Sequence, residues 1–182
     1  MREKSAKSFV NQQKLKTNIL ADEVMFLAEG EKKDRAHLDA ISVRKHTQEV
    51  LSEIDHLLEK AYNLTYLEAT LHCDGFHEGK NSFSDIGESY GYINSFVRRD
   101  GGTNCMRFAY RRPTGSGNLI RQNIRMGIQG YTKASFKRAG HEYEKELALM
   151  TEEHYSRLRN QGKTLKSVAR KIRSIDIFLK NR

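Results

Sequence analysis

Between residues 98 and 138 the chain carries Arg98, Arg99, Arg107, Arg111, Arg112, Arg121, Arg125, Lys133, Lys137 and Arg138 against one acidic residue, Asp100. Eight of these ten cations are arginine. The guanidinium offers a planar fork of donors that matches phosphate oxygens and guanine edges, which an ammonium does not. The excess is local. The 182 residues hold 32 Lys+Arg and 23 Asp+Glu, a net charge of +9. Residues 1–75 hold 11 basic and 13 acidic residues, residues 76–140 hold 11 and 4, and residues 141–182 hold 10 and 6. Clustering of this kind is the electrostatic footprint of a nucleic-acid binder. A basic surface kept for solubility is the plainer alternative, and it does not explain the near absence of Asp and Glu.

Other chemistry has less support. His72, Cys73, Asp74, His77 and Glu78 are residue types that ligate zinc, but their spacing matches no finger and there is no Cys-x-x-Cys pair. The expectation is no metal and no cofactor. The seven histidines are scattered, and no Ser/His/Asp set or cysteine nucleophile stands out, so the reading is a binder and not an enzyme. The stretch Arg111–Asn118 has glycines that bring backbone amides to a phosphate, yet it lacks the Gly-Lys-Ser/Thr ending of a nucleotide loop.

These side chains need elements to hold them. Residues 5–29 read as helical, with Ile19, Leu20, Val24 and Leu27 at helical spacing and Gly30 as a stop. Residues 32–62 read as a stronger helix, with an apolar stripe of Ile41, Val50, Leu51, Ile54, Leu57, Leu58, Ala61 and Tyr62. Leu64–Cys73 fits either a helix end or a strand. Residues 74–89 are rich in Gly, Ser, Asn and Asp and read as a loop. Tyr90–Arg99 and Thr103–Arg112 flank Asp100-Gly101-Gly102, a hairpin signal, and a third strand covers Asn118–Met126 after the break at Pro113–Gly117. Residues 132–179 carry Tyr143, Leu147, Met150, His154, Leu158, Gln161, Leu165, Val168, Ile172, Ile175 and Leu179 in steps of three and four. This is a long helical seam that packs on the N-terminal helices or, as the lesser expectation, makes a homodimer.

Alternation sharpens the arginine argument. Met106, Phe108 and Tyr110 share one face of the second strand, and Arg107 and Arg111 share the other. Ile120, Ile124 and Met126 oppose Arg121, Asn123 and Arg125 in the third. Period-two geometry therefore predicts an apolar face on the helices and an Arg-lined face toward solvent. Like charges on neighbouring strands repel, and an acidic partner relieves that. Arg107, Arg111, Arg121 and Arg125 are expected to reach a groove or phosphates, Asn123 to read a base, and Arg98, Arg99, Arg112, Lys133, Lys137 and Arg138 to hold phosphates. The first strand does not declare its parity. Tyr92 and Phe96 either join the basic face, where they would stack on unpaired bases, or belong to the core.

The expected fold is α+β: an N-terminal helical region (1–73), a loop and basic three-stranded antiparallel sheet (74–131), and a long C-terminal helix (132–182) packed on the N-terminal helices. The longest uninterrupted apolar run, Val24–Ala28, is too short to span a bilayer, so no membrane is expected. Met1-Arg2-Glu3-Lys4-Ser5 lacks the apolar core of a signal peptide, and two cysteines make no disulfide framework. A cytoplasmic location is expected.

The C-terminal half resembles a known family. The residues that carry it are Gly130-Tyr131-Thr132, Phe136, His141-Glu142-Tyr143-Glu144, Leu147, Met150-Thr151-Glu152, Tyr155 and Arg157-Leu158-Arg159, preceded by an Arg-rich hairpin. This pattern over about 90–175 is similar to the terminal region of MobI-type conjugative transfer proteins of integrative and conjugative elements and related plasmids. The resemblance implies an auxiliary mobilisation factor that recognises the origin of transfer, there as duplex DNA, and helps the relaxase act on it. Two alternatives stay open: a replication-restart or single-strand-binding accessory protein, and a coiled-coil adaptor whose Arg face meets an acidic protein.

Overall fold

A computed structural model describes residues 21–33, 38–87, 91–113, 119–139 and 141–180. Residues 5–20 of the helical stretch expected over 5–29, with Ile19 and Leu20, lie outside the described residues, as do residues 114–118, Gly140 and the side chain of Arg112. Helix α1 (Ala21–Glu29) stops where Gly30 N donates to Phe26 O at 2.8 Å. Helix α2 (Ala40–Asp85) is capped by Asp39. Asp39 Oδ1 accepts the amides of Ile41 and Ser42, each at 2.9 Å, and Oδ2 accepts Ser42 Oγ at 2.7 Å.

Strand β1 (Ile93–Asp100) and strand β2 (Thr103–Pro113) form an antiparallel hairpin. Gly101 and Gly102 make its two-residue turn at φ 51° and 73°, the left-handed values that a primed turn needs. Strand β3 (Leu119–Asn123) pairs with the far half of β2, so the sheet order is β1-β2-β3. A 3₁₀ turn (Lys133–Phe136) leads to helix α3 (Glu142–Lys180). The fold is α+β, and α3 packs against α2. Among the described residues no helix is long and apolar enough to cross a membrane.

The chain divides into two units, residues 59–167 and residues 1–58 with 168–182. In the first, the two helices run antiparallel. Phe83 stacks on Tyr143 with ring centroids 4.4 Å apart, Gly79 faces Leu147, His72 stacks on His154 at 3.9 Å, Glu68 pairs with Arg157, and Gly162 faces Tyr62. The sheet lays its inner face on them. Phe108 is wholly buried there, with Phe76, Tyr131, Phe136 and Tyr155 ringed around it at centroid distances of 5.1–5.9 Å. In the second unit, Arg173 Nε on α3 lies 3.0 Å from both carboxylate oxygens of Asp55 on α2.

Two expectations change, and one left open is decided. The segment 74–89, read as a loop, is helical through Asp85. Its composition disfavours helix, but packing overrides propensity: Phe76 and Lys80 are buried, and Gly79 lets Leu147 approach so closely that a Cβ there would lie 3.0 Å from Leu147 Cδ2. Leu64–Cys73, left between a helix end and a strand, is helix. The third strand ends at Asn123 and not at Met126, and Ile120 and Met126, expected in the core, are 59% and 40% exposed. β3 is an edge strand, and of those three residues only Ile124, whose amide donates to Phe108 O at 3.0 Å, reaches the core.

Candidate nucleic-acid interface

Register settles the parity of β1. Ile93, Ser95 and Val97 stand opposite Tyr110, Phe108 and Met106, so they share the inner face. Ser95 is polar yet buried, because its hydroxyl bonds to Tyr155 Oη at 2.6 Å. Asn94, Phe96 and Arg98 therefore point outward, and Tyr92 continues the row, with its carbonyl accepting Arg111 N at 2.7 Å. In β2 the outward residues are Cys105, Arg107, Ala109 and Arg111, and in β3 they are Arg121 and Asn123, with Arg121 opposite Arg111 and Asn123 opposite Ala109.

The outer face thus gathers Arg98, Arg107, Arg111, Arg121 and Asn123 with Tyr92 and Phe96. Among the described residues its one carboxylate, Asp100 at the hairpin tip, is paired with Arg98 at 3.3 Å. Arg121 crosses the central strand, and its Cζ lies 3.6 Å from the Phe96 ring centroid. Ala109 lies between them in the register and is 1% exposed although it points outward. A larger side chain there would obstruct the stack. Arg107 also lines a cleft of about 310 Å³ together with Lys163 and Lys166 of α3, and with Arg159, which is paired with Glu152.

Other expected contacts lie elsewhere. Arg99 has the inward parity: its guanidinium bonds Asn63 Oδ1 and sits 5.8 Å from the Tyr62 ring, so it belongs to the α2 side. Arg125 is exposed beyond the end of β3. Lys133 pairs with Glu142 at 3.4 Å, and Lys137 and Arg138 are exposed after the 3₁₀ turn, where Arg138 N donates to the inward-facing Tyr110 Oη at 3.3 Å. Arg112 pairs through its backbone with Ile120. The His72–Glu78 cluster is dispersed by the helix. His72 meets His154, His77 Nε2 lies 3.1 Å from Ser95 O, and among the described residues no three His, Cys, Asp or Glu come together as a metal site.

Sequence reasoning missed two buried carboxylates on α3. Glu144 Oε1 accepts Ile93 N at 2.7 Å, and Glu152 Oε1 accepts Tyr131 N at 3.0 Å and pairs with Arg159. Each carboxylate sits against a glycine with positive φ, Gly91 at 65° for Glu144 and Gly130 at 98° for Glu152, where a Cβ would overlap it. They tie both ends of the sheet region to α3. The signal was present as Gly-Tyr pairs with Glu residues eight apart, but hydropathy places neither carboxylate inside. Compared with protein-family models, curated proteins and solved structures, the chain matches none of them.

Proposed function

We propose that this protein binds DNA through the outer face of its sheet, as an auxiliary factor in conjugative transfer that recognises the origin of transfer and assists a relaxase. The observation that carries DNA binding is the gathering of Arg98, Arg107, Arg111 and Arg121 on one face whose single carboxylate among the described residues is already paired. The helices cover the inner face, and all four arginines are exposed. Four guanidinium groups so placed repel one another, and phosphates relieve that repulsion. The role in transfer rests on the sequence resemblance alone.

Fluorescence anisotropy on labelled DNA across a salt series tests both parts. The wild-type protein is expected to bind with a steep slope of log K against log salt. Arg107→Ala and Arg111→Ala are each expected to weaken binding and to flatten the slope by about 0.9 on a duplex, or about 0.7 on a single strand. Unchanged affinity in both variants removes the sheet face. Equal affinity for the element's origin of transfer and for random sequence removes origin recognition and leaves a general DNA binder.

A further inference from the structure

We infer that the outer sheet face is built for one unpaired strand of DNA and not for a duplex, with Tyr92 and the Phe96–Arg121 stack as two platforms for bases. The inference rests on the DNA-binding reading and specifies its substrate.

The first argument is shape. A duplex major groove is about 12 Å wide and admits a helix or a two-stranded ribbon. This face has three strands, each about 4.8 Å from the next, and its side chains widen it further. The hairpin end beyond β3 is no free ribbon either. Asn104, on its inner side, bonds Tyr62 and Thr65 of α2, so that side is closed by the helix. The face can lie against a duplex only from outside, on phosphates.

The second argument is the position of Arg121. Reading a guanine edge requires a guanidinium extended into a groove. Here Arg121 lies down across the sheet, with its Cζ 3.6 Å from the Phe96 centroid. A guanidinium at that stacking distance covers the ring, and bases stack on guanidinium planes as they do on aromatic rings. That geometry serves a base presented face-on, which only an unpaired strand offers.

The third argument is spacing. Tyr92 is 41% exposed at the bend just before β1, where its carbonyl accepts Arg111 N, and it stands four residues before Phe96, about 13 Å at strand rise. Asn94 stands between them with an amide that both donates and accepts. An extended strand laid along β1 would seat one base on each platform and one against Asn94. Arg107 and Arg111, one strand over, would meet its phosphates.

The test compares a labelled 20-nucleotide single strand with the duplex of the same sequence by anisotropy, for wild type, Tyr92→Leu and Phe96→Leu, with circular dichroism confirming the fold. The single strand is expected to bind at least ten-fold more tightly, and each variant to lose roughly ten-fold on the single strand while duplex affinity stays level. Tyr92→Leu keeps the test open even where Phe96→Leu disturbs folding, because Tyr92 is exposed. Equal or tighter duplex binding overturns the inference while leaving the DNA-binding reading intact. Equal losses on both DNA forms overturn it too, since they report charge or folding and not stacking. No binding to either form fails the underlying reading itself.

Discussion

Lys80 Nζ lies 3.3 Å from Glu144 Oε1, and both side chains are wholly buried. The pair grips the first residue of β1 from two helices. Lys80 donates to Ile93 O at 2.6 Å, and Glu144 accepts Ile93 N at 2.7 Å. Burial pulls the ammonium below its ordinary pKa, and Glu144 pushes it back. The row Tyr92–Asn94–Phe96–Arg98 starts beside this anchor, so the ion pair sets where the outer face begins.

Removing one side of the pair takes the opposite charge away from a buried ion. Glu144→Gln keeps the acceptor for Ile93 N but removes the negative charge facing Lys80, and Lys80→Met removes the positive charge facing Glu144. Each is expected to cost about 3–5 kcal/mol, while the double variant recovers a large part of it. Urea unfolding measures all three. Single variants within about 0.5 kcal/mol of wild type would sink the idea that the pair anchors the strand.

Arg99 gives a control within the arginine cluster. It neighbours Arg98 in sequence but is engaged by Asn63 and lies near the Tyr62 and Tyr66 rings. Arg99→Ala is expected to leave DNA affinity and its salt slope near wild type, whereas Arg98→Ala, on the outer face, flattens the slope. Equal loss from both would mean that DNA follows total charge and not this face.

The hairpin was legible because two adjacent glycines after an aspartate demand positive φ, and the parity of β2 was legible because Arg107 and Arg111 alternate with Met106, Phe108 and Tyr110. The parity of β1 was not. Its inward set contains Ser95, which a hydropathy pattern assigns outward and which Tyr155 satisfies only once α3 is in place. The helical end of α2 was hidden for the same reason. Gly75, Gly79, Asn81 and Ser82 favour a loop locally, and the stabilising contacts of Phe76, Gly79 and Lys80 come from residues far along the chain. On α3 the apolar seam pointed to Leu147 and His154, which do meet α2. Leu158 of that seam is wholly buried too, but Glu144, Ala148, Glu152 and Tyr155 are buried on the neighbouring face, where carboxylates mask the pattern.

His72 sets a pH dependence of stability. Burial, and then the His154 ring stacked on it, lower its pKa below 6.5, while Glu68 opposes them and Arg157 adds to the lowering. The unfolded chain therefore takes up this proton first as pH falls. His72 contributes full stability above about pH 6.5, and that contribution declines as pH drops through 6.5 toward the folded value. His77, held above 6.5 by its hydrogen bond to Cys73, has the opposite sign, with its contribution full below 6.5 and lost as pH rises through the folded value. Urea midpoints between pH 7.5 and 5 should fall less in His72→Gln than in wild type. Parallel curves for the two proteins rule out His72 as a source of the slope.

Cys73 and His77 sit one turn apart on α2, and the proton balance between them is set by Ser95. Neutral imidazole has one N–H, and with Nε2 3.1 Å from Ser95 O that proton is committed to the carbonyl. The other ring nitrogen is then free to take the thiol proton, which yields an imidazolium with both N–H groups bonded and a thiolate beside it. Burial pushes the Cys73 thiol up, but hydrogen bonds from His77, Ser95 and Tyr155 outweigh it and hold the thiol below its ordinary value. The thiolate is the reactive form, so the rate of iodoacetamide alkylation of Cys73, measured in a Cys105→Ser background, is expected to rise at lower pH than for a free cysteine. His77→Gln should move that midpoint upward while leaving the fold intact by circular dichroism. The same midpoint in both proteins would show that His77 does not share its proton with Cys73.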